Sequence, residues 1–163
     1  MSQQKSGLSF LWLSAVAFVL DLLTKYIVVQ KFALYESVNI LPVFNLTYVR
    51  NTGAAFSFLA DHDGWQKFFF IGLAVVISSM LIYFMAKSEA AQKLQNAAYA
   101  LIIGGALANA VDRAYNGYVI DFFEFYWRDW RYPVFNVADI AICVGAALIA
   151  LDAFKQGKKQ EQK

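Results

Sequence analysis

Charge is scarce in this chain. Asp, Glu, Lys and Arg make up 16% of its 163 residues, where an ordinary soluble domain carries about 25%. The net charge is only +2, and no Lys/Arg run interleaves with aromatic rings, which argues against nucleic acid as a partner. Cysteine is reduced to Cys143, so no intramolecular disulfide can form. His62 is the single histidine. One His and one Cys cannot assemble an ordinary zinc site or a paired-histidine haem site, so no metal and no cofactor are expected. A G-x-S-x-G nucleophile elbow is also missing.

Apolar bulk takes the place of charge. Hydrophobic residues make up 60% of the chain, more than one small core can absorb, so lipid must cover part of the surface. Four stretches reach the roughly 20 residues needed to cross about 30 Å of hydrocarbon: residues 8–29, 68–86, 94–111 and 135–154. The first contains Ala15-Val16-Ala17, which has the small-x-small form of a cleavage site. Its apolar run continues to Val29, too long for a signal-peptide core, so it is read as a retained helix. The Gly104-Gly105 pair and the alanines of the third stretch suit close helix packing. The expected fold is a membrane all-α protein, a four-helix bundle forming one domain over residues 1–163.

Four spans put both termini on one side. Lys5, Lys87, Lys93, Lys155, Lys158, Lys159 and Lys163 crowd that side, and basic residues near helix ends favour the cytoplasm. The long segments 31–66 and 114–134 then lie outside. Residues 38–49 are rich in β-branched and aromatic side chains, and Asn51-Thr52-Gly53 is a turn signal. The first outer segment therefore predicts a small β-cradle on the outer face. Asp61 and Asp63 precede the second span as helix N-cap candidates, with a solvated His62 between them. The second segment is an aromatic interfacial loop containing Tyr126, Trp127 and Trp130. It reads equally well as a headgroup-level belt or as a substrate groove.

Acids inside apolar segments are costly and are functional candidates by default. The topology brings Asp21, Asp112 and Asp139 to one outer depth, with Asp121 in the adjoining loop. Asp21 and Lys25, four residues apart, are expected to form a structural ion pair. Asp112, beside Arg113 at a helix end, reads as a hydrogen-bonded structural acid. Cys143, on the helix face of Asp139, reads as a small buried apolar residue. Asp121 and Asp139 have no basic residue within one helical turn along the chain. Two carboxylates that share a water cannot both ionise cheaply, so one keeps a proton while the other accepts one. That pairing activates water against a peptide carbonyl without a metal.

Five ordered motifs carry a resemblance: Asp21-Leu22-Leu23-Thr24-Lys25, the run from Arg50 through Asn51 and Gly53 to Phe56, Gly104 through Asn109 to Arg113, Val119-Ile120-Asp121-Phe122, and Phe135-Asn136-Val137-Ala138-Asp139. In these the chain resembles bacterial lipoprotein signal peptidase, signal peptidase II, over nearly its whole length. The resemblance implies a four-helix membrane bundle with an outer β-cradle and a mobile interfacial segment. It implies cleavage before a cysteine already modified with diacylglycerol, with prolipoproteins and membrane lipid as partners, at the outer leaflet of the bacterial cytoplasmic membrane. It puts the catalytic role on Asp121 and Asp139, and substrate-binding or orienting roles on Asn51, Gly53, Asn109, Asp112, Arg113 and Asn136. The family usually carries Gly at the position of Ala108.

A proton-coupled exporter is the competing class on physics alone, since four short helices with a buried acid also describe one. It predicts one essential acid near the midplane and leaves the outer segments without a purpose.

Overall fold

The computed structural model describes residues 6–53 and 64–161, with side chains to residue 158. Residues 54–56 of the second motif, Asp61, His62 and Asp63, and Lys5 and Lys163 among the counted bases, lie outside the described residues. A 3-10 turn (Gly7–Phe10) leads into α1 (Leu11–Lys31); α2 is Gln66–Lys87, α3 Lys93–Asn116 and α4 Val137–Glu161. All four helices are long and apolar enough to cross a membrane. Their outward faces carry large apolar side chains such as Val19, Leu23, Val76 and Phe154, which would be a liability in water and suit lipid.

Helix α3 is the hub, packing against α1, α2 and α4. Small residues make that possible. A Cβ added to Gly104 would sit 2.5 Å from the Ser14 carbonyl oxygen of α1, and one on Gly105 would collide with the Ala138 carbonyl of α4. Ala108 is fully buried on the same helix.

The segments between α1 and α2 and between α3 and α4 contribute to a single antiparallel sheet, ordered β1 (Ser37–Leu41), β2 (Phe44–Asn51), β3 (Val119–Trp127) and β4 (Trp130–Arg131). Val28 at the end of α1 packs with Tyr48, Ile120 and Phe122, fixing the sheet to that end of the bundle. Phe135 joins the sheet by hydrogen bonds to Phe123. At the opposite end a buried Asn96 bonds Ser88 Oγ and the Glu89 carbonyl, and Gly7 N–H donates to the Ser88 carbonyl.

Three expectations change. The aromatic segment 114–134 contributes β3 and β4 to the same sheet as residues 37–51, so Asp121 sits in a strand rather than a loop. Local periodicity did not reveal this, because Val119–Phe122 is buried on both faces and does not alternate. Helix α3 runs to Asn116, beyond the expected end at 111, so Asp112 lies a full turn inside it. Gly117, left-handed at φ 82°, ends the helix, with its N–H bonded to the Arg113 carbonyl. Helix α4 starts at Val137 rather than 135, because Phe135 is held in the sheet and Asn136 caps the helix.

Candidate active site

Asp121 is placed by strand pairing. It lies opposite Val49, next to an irregularity in the β2–β3 register between Leu46 and Val49, and two residues from the Asn51–Val119 pair. Asn51 Nδ2 donates to Asp121 Oδ2 at 3.0 Å. The orientation of that amide is set locally, since Gly53 N–H donates to Asn51 Oδ1 at 3.0 Å, an Asx turn made by the Asn51-Thr52-Gly53 signal.

Asp139 is placed by a helix cap. Asn136 Oδ1 accepts the Asp139 N–H at 2.9 Å, and Asp139 Oδ2 accepts the Asn136 N–H at 3.2 Å. This reciprocal pair has the geometry of a capping box. Asp139 Oδ1 accepts Asn109 Nδ2 from α3 at 2.9 Å.

Asn136 links the two acids. Its Nδ2 donates to Asp121 Oδ1 at 2.7 Å and approaches Asn109 Oδ1 at 3.1 Å. All four oxygens of the two carboxylates therefore receive amide donors. Asp121 is 2% exposed. Burial, and then the nearby Asp139 charge, push its pKa up from 3.8 to about 7, against the lowering effects of Asn51, Lys25 and Asn136.

Both acids open on one cavity of about 670 Å³, walled by β2 through Arg50 and Asn51, by the segment from Tyr132 to Phe135, and by α4. Arg113 also lines it. Its guanidinium donates to the Gly53 carbonyl at 2.8 Å and lies over the Phe70 ring at 4.8 Å. Asp112 does not line the cavity. Its Oδ2 accepts the Ile120 N–H at 3.1 Å, and Lys25 Nζ stands 2.9 Å from the same oxygen.

The expected Asp21–Lys25 pair is present at 2.6 Å, but Lys25 also reaches Asp112, so the pair is part of a triad. Chain spacing could not reveal the second acid, which is 87 residues away. Cys143 departs from its reading as a buried residue: it is exposed and lines the cavity one turn beyond Asp139. Sequence reasoning missed Arg50 and Tyr132 as wall residues. The aromatic density of residues 115–132 was the available signal for Tyr132. Of the two readings of that segment, the cavity wall applies at Tyr132, while Trp127 and Trp130 remain exposed.

The family profile described as Signal peptidase (SPase) II matches residues 13–155. The chain belongs to the signal peptidase II family. It is 78% identical to the lipoprotein signal peptidase of Haemophilus influenzae strain PittGG over 98% of this chain and 93% of that protein. It is 71% identical to the lipoprotein signal peptidase of Pasteurella multocida strain Pm70, over 100% and 99% of the two chains. A bacterial membrane enzyme structure obtained by the in meso method at 2.3 Å resolution superposes with a TM-score of 0.86, at 28% identity over 99% of this chain and 98% of that one. Family membership makes the chain a multi-pass membrane peptidase and sets the exporter class aside.

Proposed function

We propose that this chain removes the signal peptide from diacylglyceryl-modified prolipoproteins, hydrolysing the bond before the lipid-modified cysteine on the Asp121–Asp139 dyad. One observation carries the reading. A strand and a helix deliver two carboxylates to one cavity, joined through a single residue, Asn136, whose side-chain amide bonds Asp121 and whose backbone N–H bonds Asp139.

The geometry supports a division of labour. Asp121, with its pKa near 7, holds the shared proton. Asp139 stands in the first turn of α4, where backbone N–H groups favour negative charge, and accepts a proton from water. The resulting hydroxide adds to the scissile carbonyl carbon, while Asp121 gives its proton to the carbonyl oxygen. Collapse of the tetrahedral adduct breaks the C–N bond as one of its hydroxyls returns a proton to Asp121, and the proton taken by Asp139 passes to the leaving amine. Asn51, Asn109 and Asn136 orient the acids. Arg113, fixed by Gly53, offers a positive wall for the peptide backbone.

The sheet and dyad share one end of the bundle, which supports an active site near the outer leaflet of the cytoplasmic membrane, with both termini cytoplasmic. The cavity wall formed by α4 includes Ile140, Cys143 and Val144, exposed residues that would face lipid, so acyl chains can stay in the bilayer while the peptide enters. The purified protein, incubated in detergent with a diacylglyceryl-modified prolipoprotein, is expected to release the signal peptide and to leave the unmodified precursor intact. Equal cleavage of both precursors would remove the substrate assignment, and no cleavage of either would remove the function.

A further inference from the structure

Behind the dyad lie three charged side chains that do not line the cavity: Asp21 and Lys25 from α1, and Asp112 from α3. They are 0%, 1% and 5% exposed. Lys25 Nζ lies 2.6 Å from Asp21 Oδ2 and 2.9 Å from Asp112 Oδ2, and donates to Asn109 Oδ1 at 2.8 Å. Two ion pairs and one hydrogen bond thus converge on a single ammonium.

Each carboxylate also holds a backbone amide. Asp21 Oδ1 accepts the Ala138 N–H at 2.7 Å, and Asp112 Oδ2 accepts the Ile120 N–H at 3.1 Å. Ala138 immediately precedes Asp139, and Ile120 immediately precedes Asp121. One ammonium therefore ties together the two backbone segments that carry the dyad, acting from two helices that supply neither dyad acid. The third contact adds orientation. Asn109 Oδ1 accepts from both Lys25 and Asn136, so a flipped amide would aim its NH2 at an ammonium and another NH2. Nδ2 is thereby held on Asp139. Buried ion pairs often stabilise no more than apolar residues of the same volume, so a cluster of three buried charges calls for a role other than stability.

We propose that Lys25 is a positioning residue for the dyad, setting through Asp21, Asp112 and Asn109 both the spacing of Asp121 and Asp139 and the orientation of the amide that serves Asp139. The inference rests on the dyad reading above. Asp121 is faced by Asp139 from α4, Arg113 and Asp112 from α3, Lys25 from α1 and Arg50 across the cavity from β2. The Lys25 charge lowers the Asp121 pKa, so its removal raises that pKa further and carries the alkaline limb of the pH–rate profile upward.

The experiment compares wild type, Asp139→Asn, Lys25→Met and Lys25→Gln in detergent on a diacylglyceryl-modified prolipoprotein, with kcat, KM, pH profile and thermal unfolding measured for each. Lys25→Met is expected to fold and to lose roughly 10- to 100-fold in kcat, as an ångström-scale misplacement does, with KM little changed and the alkaline limb moved up. Lys25→Gln recovers part of kcat, because its amide can still donate to Asn109, while the limb stays moved. A folded Lys25→Met with the wild-type kcat and limb overturns the proposal. So does a loss of activity that only follows the folded fraction, or failure of both variants to fold, since the cluster would then serve the fold alone. Wild type no more active than Asp139→Asn defeats the dyad reading instead, a separate outcome.

Discussion

Asn136 and Asp139 cap the same helix with each other's backbone amides, at 2.9 and 3.2 Å, and Asn136 also bonds Asp121 at 2.7 Å. The residue that starts α4 is thus the one that links the two acids of the site. Moving the helix start would move Asp139 and the donor to Asp121 together.

Asp121→Asn and Asp139→Asn are each expected to lower kcat by at least about 10²- to 10⁴-fold, the range of general acid–base catalysis. Both amides keep the size of the acid, so circular dichroism and gel filtration in detergent should match wild type. A folded variant with near-normal turnover removes that acid from the dyad.

Asp121 also predicts how stability depends on pH. Its folded pKa lies above the ordinary 3.8, so between about pH 4 and pH 7 the native protein binds a proton that the unfolded chain has released. Stability from this group is therefore greatest in acid and falls as pH rises through that window, by up to about 1.4 kcal/mol per unit. Asp121→Asn should flatten this part of the curve and unfold at a higher temperature than wild type at pH 8. Thermal unfolding of both proteins from pH 4 to 8 checks the sign, and parallel curves would contradict it.

The triad around Lys25 should show strong non-additivity. Asp21→Asn leaves Lys25 with Asp112, and its amide oxygen can still accept from Ala138, so a cost of about 1–2 kcal/mol is expected. Adding Asp112→Asn strands a buried cation, and the pair should cost about 3–5 kcal/mol. A double-mutant cycle in thermal unfolding measures the difference. Simple additivity would mean that the two carboxylates do not share the ammonium.

Gly105→Ala places a methyl group against the Ala138 carbonyl, one residue from Asp139, whereas Gly104→Ala presses on Ser14 of α1. Overpacking of this kind costs about 1–3 kcal/mol at either position. Only Gly105→Ala is expected to depress kcat beyond its effect on stability. Equal kcat in the two folded variants would show that the α3–α4 contact does not position the acid.

The sequence by itself determined that the chain spans a membrane with four helices, because long apolar runs with so little charge have no other stable setting. It also determined which acids were out of place there, and the i,i+4 spacing of Asp21 and Lys25 was sufficient to pair them. The turn at Asn51-Thr52-Gly53 was likewise local and legible, whereas the cap at Asn136 was hidden by the apolar run that put the helix start at 135. What joins these pieces is not local. Asp121 meets Asn51 only because β3 pairs with β2 in one register, a choice that a strand buried on both faces does not encode by alternation. Lys25 meets Asp112 only because α1 closes on α3, where Gly104 leaves room for the Ser14 carbonyl. Residue chemistry and short-range spacing are written along the chain, but whether two buried charges share a partner depends on distances that exist only after packing.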